Sequence, residues 1–465
     1  MACGVSELVN VRRSPRLDSA TGGAGFAFEI GYDRNSVNKN VIVVGGGLAG
    51  LATAIYLARG GRTVTIFERR RYLGGRAVTH LRHGYRFNLG PHAFYRGGVG
   101  WDVMRELGIP IRGGSPDGSG VVLLDRSSFR FPGDLRGIVA TGLLSPKAKL
   151  EALWLMMRIR RIDASPFASM TVREWIDANV SDPRLRQLVQ ALFRLATYSD
   201  RPDVQRASTA LAQLRLAMRR VVYVDEGWQK IVDAMHSAAV AAGVNFVTSS
   251  RVVAVHHDNR VRSIEIGGLE IESGRDTVSV VLPDLNEPEK GAPIPAETLV
   301  LAIDPESARD LVPDLGLPAT EPVTITCLDL ALSRLPVPQP RFALGIDQPY
   351  YFSVHSSWAQ LTPKGGAMIH IAKYGRGTEQ ELEALADQLQ PGWRDVLVHR
   401  RFLPAMTVTN ALTKVAGNGS EPRATVATSV GGLYVVGDWV GERGILSDAA
   451  LSSARDAARA ILATE

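Results

Sequence analysis

Three glycines, an acid and an arginine near the front of the chain have the types and spacing to hold a phosphate-bearing ligand. Gly45, Gly47 and Gly50 stand at G-x-G-x-x-G spacing, directly after the apolar β-branched run 41–44. That spacing lets a strand turn sharply, brings the backbone close to a pyrophosphate and lets the following helix pack tightly on its sheet. The unpaired N–H groups at the helix start then face the anion. Glu68 ends a second strand-like run, 63–67, where a carboxylate accepts hydrogen bonds from ribose hydroxyls. Beyond it, Gly74-Gly75-Arg76 adds paired glycines that bring a loop onto the ligand, and a guanidinium suited to phosphate. Together these residues specify a dinucleotide cradle. Far away, Gly437-Asp438 sits between a short apolar run and an Ala-rich helix within 431–462.

The run from Glu68-Arg69 to Gly74-Gly75-Arg76 resembles the E-R-x-x-x-x-G-G-R signature of the flavin amine oxidase and phytoene desaturase superfamily. The resemblance spans residues 40–465 and is strongest at its two ends. It implies non-covalently bound FAD, with Arg76 on the phosphates and Arg69 and Gly75 beside it. Phe87-Asn88-Leu89-Gly90-Pro91 is similar to the family's turn beside the flavin ring, with Asn88 where an acid is usual. Gly90 and Pro91 would then contact the cofactor, and His92 and Tyr95 would lie near the ring or the substrate. Residues 221–235 resemble a D-G-G segment with Glu226 in place of one glycine. Val253 matches a valine whose backbone reads the adenine. Gly437-Asp438 matches a G-D pair whose aspartate binds a hydroxyl of FAD, and Asp448 joins that set. Ser447 reads as the N-cap of the last helix, whose positive end would stabilise reduced flavin.

The resemblance implies an α/β fold: a discontinuous Rossmann-like FAD-binding domain, a mixed α+β substrate domain and a helical insertion. The expected division is a flexible extension at 1–38, FAD-binding parts at 39–99, 221–310 and 425–465, a helical insertion at 100–220 and a substrate domain at 311–424. Segments 172–180 and 185–198 have helical apolar spacing, as does 379–389. Strand-like runs occupy 323–332 and 367–371, and 268–296 reads as a loop or hairpin excursion.

A chain of 465 residues with 45 % hydrophobic content can fill two or three domains. The net charge of +6 is spread among nearly as many acids as bases, which argues against a nucleic-acid partner. Cys3 and Cys327 are too few and too far apart for a disulfide framework, and fit a reducing compartment. His256-His257 has no Cys or acid at ligand spacing, so no metal is expected. No apolar run reaches the ~18 residues of a spanning helix, so a cytoplasmic location is expected. Residues 143–162 combine apolar positions with Lys147, Lys149, Arg158, Arg160 and Arg161; they suit either a pocket wall or peripheral contact with a membrane surface.

Gly97-Gly98-Val99-Gly100 lacks a preceding strand, so no second nucleotide unit is visible, and the substrate itself would reduce the flavin. Amine-oxidising members of the superfamily carry a lysine in the strand matching 322–332, and this chain has none there. They also place a second aromatic after G-D-W, where this chain has Val440-Gly441-Glu442-Arg443. The resemblance therefore points to oxidation of an apolar, isoprenoid or polyene-like small molecule. Amine oxidation, protoporphyrinogen oxidation and a non-catalytic flavin or lipid binder are the alternatives. The sequence sets neither the oligomeric state nor a catalytic base.

Overall fold

Val41 and Val43 turn to one side of their strand and Ile42 and Val44 to the other, and all four are buried. A strand apolar on both faces belongs at the centre of a covered parallel sheet. The structure, a computed structural model, shows that sheet; it describes residues 40–125, 127–267, 293–416, 419–420 and 422–464. The extension read at 1–38 and most of the loop read at 268–296 lie outside the described residues. The sheet is parallel throughout, in the order Asn245–Val247, Thr63–Phe67, Asn40–Val44, Thr298–Leu301, Leu433–Val435.

The helices, in chain order, are α1 (Leu48–Arg59), α2 (Val99–Leu107), α3 (Leu135–Ala140), α4 (Pro146–Arg161), α5 (Val172–Asn179), α6 (Pro183–Thr197), α7 (Ala207–Ala217), α8 (Gln229–Ala241), α9 (Pro305–Leu311), α10 (Glu379–Leu389) and α11 (Leu446–Leu462). One face of the parallel sheet packs on α1, α8 and α11, with α2 against α11. The other face packs on a three-stranded antiparallel sheet that contributes Val252, Val255, Val261 and Ile264. Within that small sheet His256 meets Glu265 across the strands at 2.7 Å, an acid partner that linear spacing did not show.

A second, seven-stranded sheet runs in the order Leu397–Thr409, Val323–Leu332, Ala367–Tyr374, Tyr350–Val354, Phe342–Gly345, Val121–Leu124, Ser127–Arg130. Helices α4 to α7 pack on one face and α10 on the other. Two segments depart from the expected division. Helix α2 carries Val103, Met104 and Leu107 into the core of the parallel-sheet unit. The strands at 121–130 pair with the substrate-side sheet through Ala343 to Gly345. Hydrophobic periodicity reports helix or strand but not which core a segment enters, so the insertion at 100–220 is helical only from α3 to α7.

Candidate active site

The sheet's carboxyl ends open onto a cavity of about 950 Å³ between the two units. Its construction starts at Gly45, whose φ of +106° turns the chain off the first strand. A Cβ there would sit 2.5 Å from the Ala302 carbonyl oxygen, so the neighbouring strand ends hard against the turn. At Gly47 a Cβ would meet nothing within 4 Å: the space in front of the helix start is open. No side chain caps α1 at Gly47 or α11 at Ile445, and residues at both helix starts line the cavity. Two helix N-termini with free N–H groups aimed into one space form an anion site.

Glu68 is buried beside the first turn, and its carboxylate accepts from the N–H of Gly46 at 2.8 Å and of Arg70 at 2.9 Å. The Gly74–Gly75 loop is laid on the glycine turn by a hydrogen bond from the Gly74 N–H to the Gly46 carbonyl. Arg76 extends from it and donates to Asp438 at 2.9 Å and to the Val408 carbonyl at 3.0 Å. Asp438 also accepts from the backbone and side-chain N–H groups of Asn410. Burial works to raise its pKa, but Arg76 and these donors outweigh burial and hold it below the ordinary carboxylate value. The first and last motifs, 362 positions apart, thus meet in one ion pair.

Gly45, Gly47, Glu68, Arg69, Gly75, Arg76, Pro91, His92, Val253, Gly437 and Asp438 all line the cavity. Gly50 lies behind the wall, against the Gly45 carbonyl, and Gly90 is set back, its carbonyl accepting from His92 Nδ1 at 3.1 Å. That bond places the His92 proton on Nδ1 and leaves Nε2 as the acceptor. Burial lowers the His92 pKa to about 4, so the ring is neutral near pH 7 and a weak base. It packs edge-on to Trp228, with centroids 4.9 Å apart.

Three expectations are corrected. Tyr95 is buried outside the cavity lining, donating to the Ala196 carbonyl at 3.1 Å, and so orients α6. Ser447 does not cap α11; the helix begins at Leu446, and Ser447 lines the cavity from its first turn. Asp448 also lies outside the lining: it faces the opposite way on the helix and accepts from the Gly100 N–H at the start of α2. A carboxylate in the first turn of a helix reads the same in sequence whichever way it points.

Burial pushes the Asp448 pKa up to about 7, so the folded chain keeps a proton that the unfolded chain loses near pH 4. Stability contributed by that proton is present at low pH, falls as pH rises towards 7 and is gone above it. Asp448→Asn should remove this slope and be the more stable protein at pH 8, by on the order of a few kcal/mol at most. Urea midpoints at pH 5 and pH 8 measure it. Parallel profiles for both proteins would mean that the carboxylate is ionised in the fold.

Several lining residues have no motif. Asp304 caps α9 through the Ser307 N–H, bringing Pro305, Glu306 and Ser307 to the cavity edge. Tyr198, Trp228 and Met406 arrive from three separate segments. Asn88, in place of the usual acid, accepts from the Thr79 hydroxyl and the Trp228 N–H. Behind the turn lies a fully buried carboxylate, Asp329, which accepts from His370 Nδ1 at 2.6 Å and Arg401 Nε at 3.1 Å. Arg401 also donates to the Asn88 carbonyl.

Residues 48–324 match the family model for flavin containing amine oxidoreductase. The chain belongs to that family. The family is flavin containing, and the uncapped helices, Glu68 and the Arg76–Asp438 pair are suited to a flavin dinucleotide. It is 24 % identical over 286 residues to a 4,4'-diaponeurosporene oxygenase of Staphylococcus aureus, covering 51 % of this chain and 54 % of that protein. The match thus spans about half the length of that relative. An oxidoreductase of Methanosarcina mazei superposes with a TM-score of 0.68 at 17 % identity, covering 90 % of this chain and 99 % of the other. A putative protoporphyrinogen oxidase of Exiguobacterium sp. 255-15 gives 0.67 at 16 %, covering 92 % and 99 %. At such identities the likeness is one of fold. Among the described residues no helix is long and apolar enough to cross a membrane.

Proposed function

We propose that this oxidoreductase dehydrogenates an apolar, isoprenoid or polyene-like small molecule, using FAD held without a covalent link. The observation that carries the reading is how charge divides along the cavity. Every Asp, Glu, Lys or Arg in its lining comes from 68–76, 251, 304–310 or 438, the segments that follow the parallel strands. The uncharged lining includes Leu89, Pro91, His92, Ala93, Tyr198, Trp228 and Met406. It holds no carboxylate for an ammonium group; burial keeps the His92 ring neutral and pushes the Tyr198 phenol further up, so neither ring is charged near pH 7. Thr326, in the strand where a lysine would mark amine oxidation, is buried, bonded to the Gly375 and Pro404 carbonyls and to the Gly377 N–H. The relative named for oxygenation of 4,4'-diaponeurosporene agrees with such a substrate.

Bound FAD would supply the hydride acceptor. What the chain itself must do is hold a C–H bond in register and keep water away. The packed wall from Leu89 to Met406 does both without a charged group, and neutral His92 offers a hydrogen-bond acceptor at Nε2. Non-covalent attachment fits the position of Cys327, which is buried outside the cavity lining; acid precipitation should leave colourless protein and yellow supernatant.

Anaerobic titration of the yellow protein with polyprenyl substrates should bleach the flavin band near ~450 nm, while amines leave it unchanged. Bleaching by amines alone would replace this reading with amine oxidation. Porphyrin fluorescence from added porphyrinogen would replace it with porphyrinogen oxidation. A flavin that no candidate reduces, in a protein that still binds lipid, would make it a non-catalytic binder.

A further inference from the structure

Helix α4 is apolar on two opposite sides. Its inner side, Ala148, Ala152, Leu155 and Ile159, is buried in the core that also holds Trp175 and Cys327. At ~100° per residue, Leu150, Trp154 and Met157 fall within roughly 60° of one another on the outer side. These three side chains are between 51 % and 70 % exposed. Leu135 and Val139, four positions apart on α3, extend the strip and are equally open. The two helices are joined where Lys149 donates to the Val139 carbonyl at 2.8 Å. Half of the large hydrophobic side chains exposed among the described residues lie on this one surface. Its helices do not need that strip for their own packing.

Along α4 the charge around the strip is mostly basic, and Asp134, exposed ahead of Leu135, is engaged as the cap of α3 through the Gly137 N–H. On the same wheel, Lys147 and Arg158 flank it on one edge and Lys149 and Arg160 on the other, with Arg161 at its end. Arg158 lies over the Trp154 ring, 5.1 Å from its centroid. The only acid of α4, Glu151, falls beside Arg158 on that wheel, and its carboxylate accepts from the N–H groups of Ser181 and Asp182 ahead of α6. Tryptophan, leucine and methionine between rows of Lys and Arg make a helix that rests in a lipid interface, with cations at the headgroups. A second copy of the chain fits less well, because twofold pairing would set two basic rims against each other.

We infer that α3 and α4 form a docking surface for an anionic lipid bilayer, in which Leu135, Val139, Leu150, Trp154 and Met157 enter the interface while the basic rim meets the headgroups. This goes beyond the sequence reading, which gave α4 no inward or outward side and did not include α3. The docking does not depend on which molecule the cavity oxidises.

The test is sedimentation of the full-length, flavin-loaded protein with two kinds of vesicle: phosphatidylcholine alone, and phosphatidylcholine mixed with phosphatidylglycerol. Binding to the anionic vesicles should exceed binding to the neutral ones by about tenfold and weaken in high salt. Leu150→Glu combined with Trp154→Glu should lose it, as should Lys147→Glu combined with Arg160→Glu. Val240→Glu, at an exposed apolar site on α8, should bind as the parent does. Retained flavin absorbance shows that each variant is folded. Brominated lipid should quench Trp154 emission, with the effect absent from Trp154→Phe. Absence of vesicle binding would overturn the inference, as would binding that ignores both pairs of substitutions. A dimer that Leu150→Glu dissociates, in a protein that ignores vesicles, would overturn it in favour of self-association. Flavin reduction is not read in this assay, so its outcome and that of the titration stand apart.

Discussion

Gly50→Ala should yield a colourless protein with greatly reduced stability. A Cβ at Gly50 would lie 1.9 Å from the Gly45 carbonyl oxygen and 3.2 Å from the Ala302 Cβ. The first clash is with backbone, so no side-chain rotation relieves it. Helix α1 would have to withdraw by more than ~1 Å, in an interior packed like a crystal. Its inner residues Leu51, Ala54 and Ile55 are fully buried against the sheet and α11, so the withdrawal opens that core. Overpacking of this kind costs ~1–3 kcal/mol, and more where backbone must move. The same withdrawal carries the free N–H groups of the helix start away from the cofactor. Flavin content after purification and the thermal midpoint both report it. Unchanged values would mean that the helix start is not held by its glycine turn.

Asp329→Ala should be nearly as damaging, although Asp329 lies outside the cavity lining. Removing one partner of a buried pair leaves the other uncompensated, typically at ~3–5 kcal/mol. Here the group left behind is Arg401, which also holds the Asn88 carbonyl at the turn leading to Leu89, Pro91 and His92. The loss should therefore appear twice: as a lower urea midpoint, and as a raised KM with kcat less affected. Asp329→Asn keeps the shape and can still accept from His370, so it should recover part of the stability. Burial alone would raise the Asp329 pKa; His370 and Arg401 outweigh it and bring it below the ordinary value. Stability from this carboxylate is thus present above the unfolded pKa of ~3.9 and is lost as pH falls through the lower folded value. The parent should lose stability more steeply than Asp329→Asn in that acid range. Equal KM for Asp329→Ala and parent would show that the triad does not set the cavity wall.

The cofactor end of the cavity was legible because its chemistry is local. A turn, a helix start and a strand-end acid fall within 32 positions from Gly45 to Arg76 and carry their spacing with them. The Asp329–His370–Arg401 triad was not legible, since its members come from three strands and meet only through sheet register. A faint signal existed: a carboxylate inside the otherwise apolar run 327–332 must find a partner once buried. Nothing in the sequence said which. Tyr95 failed for the opposite reason, since nearness along the chain to the Gly90 turn does not fix which way a strand residue faces. The separate contributions of α2 and the 121–130 strands were hidden because pattern gives an element's type and not its neighbours.

The parallel sheet recruits its edge strand, Leu433–Val435, from near the end of the described chain, and the helix start at Leu446 follows it. Strand pairing with Thr298–Leu301 cannot occur until that segment has left the ribosome. During synthesis the glycine turn and Glu68 must therefore wait for the strand Leu433–Val435 and for α11 before the nucleotide site exists. Flavin capture must follow synthesis of α11. Shortage of flavin would then strand chains that carry every segment of the site without its ligand, and it is that population, rather than shorter nascent fragments, that chaperones and proteases would meet.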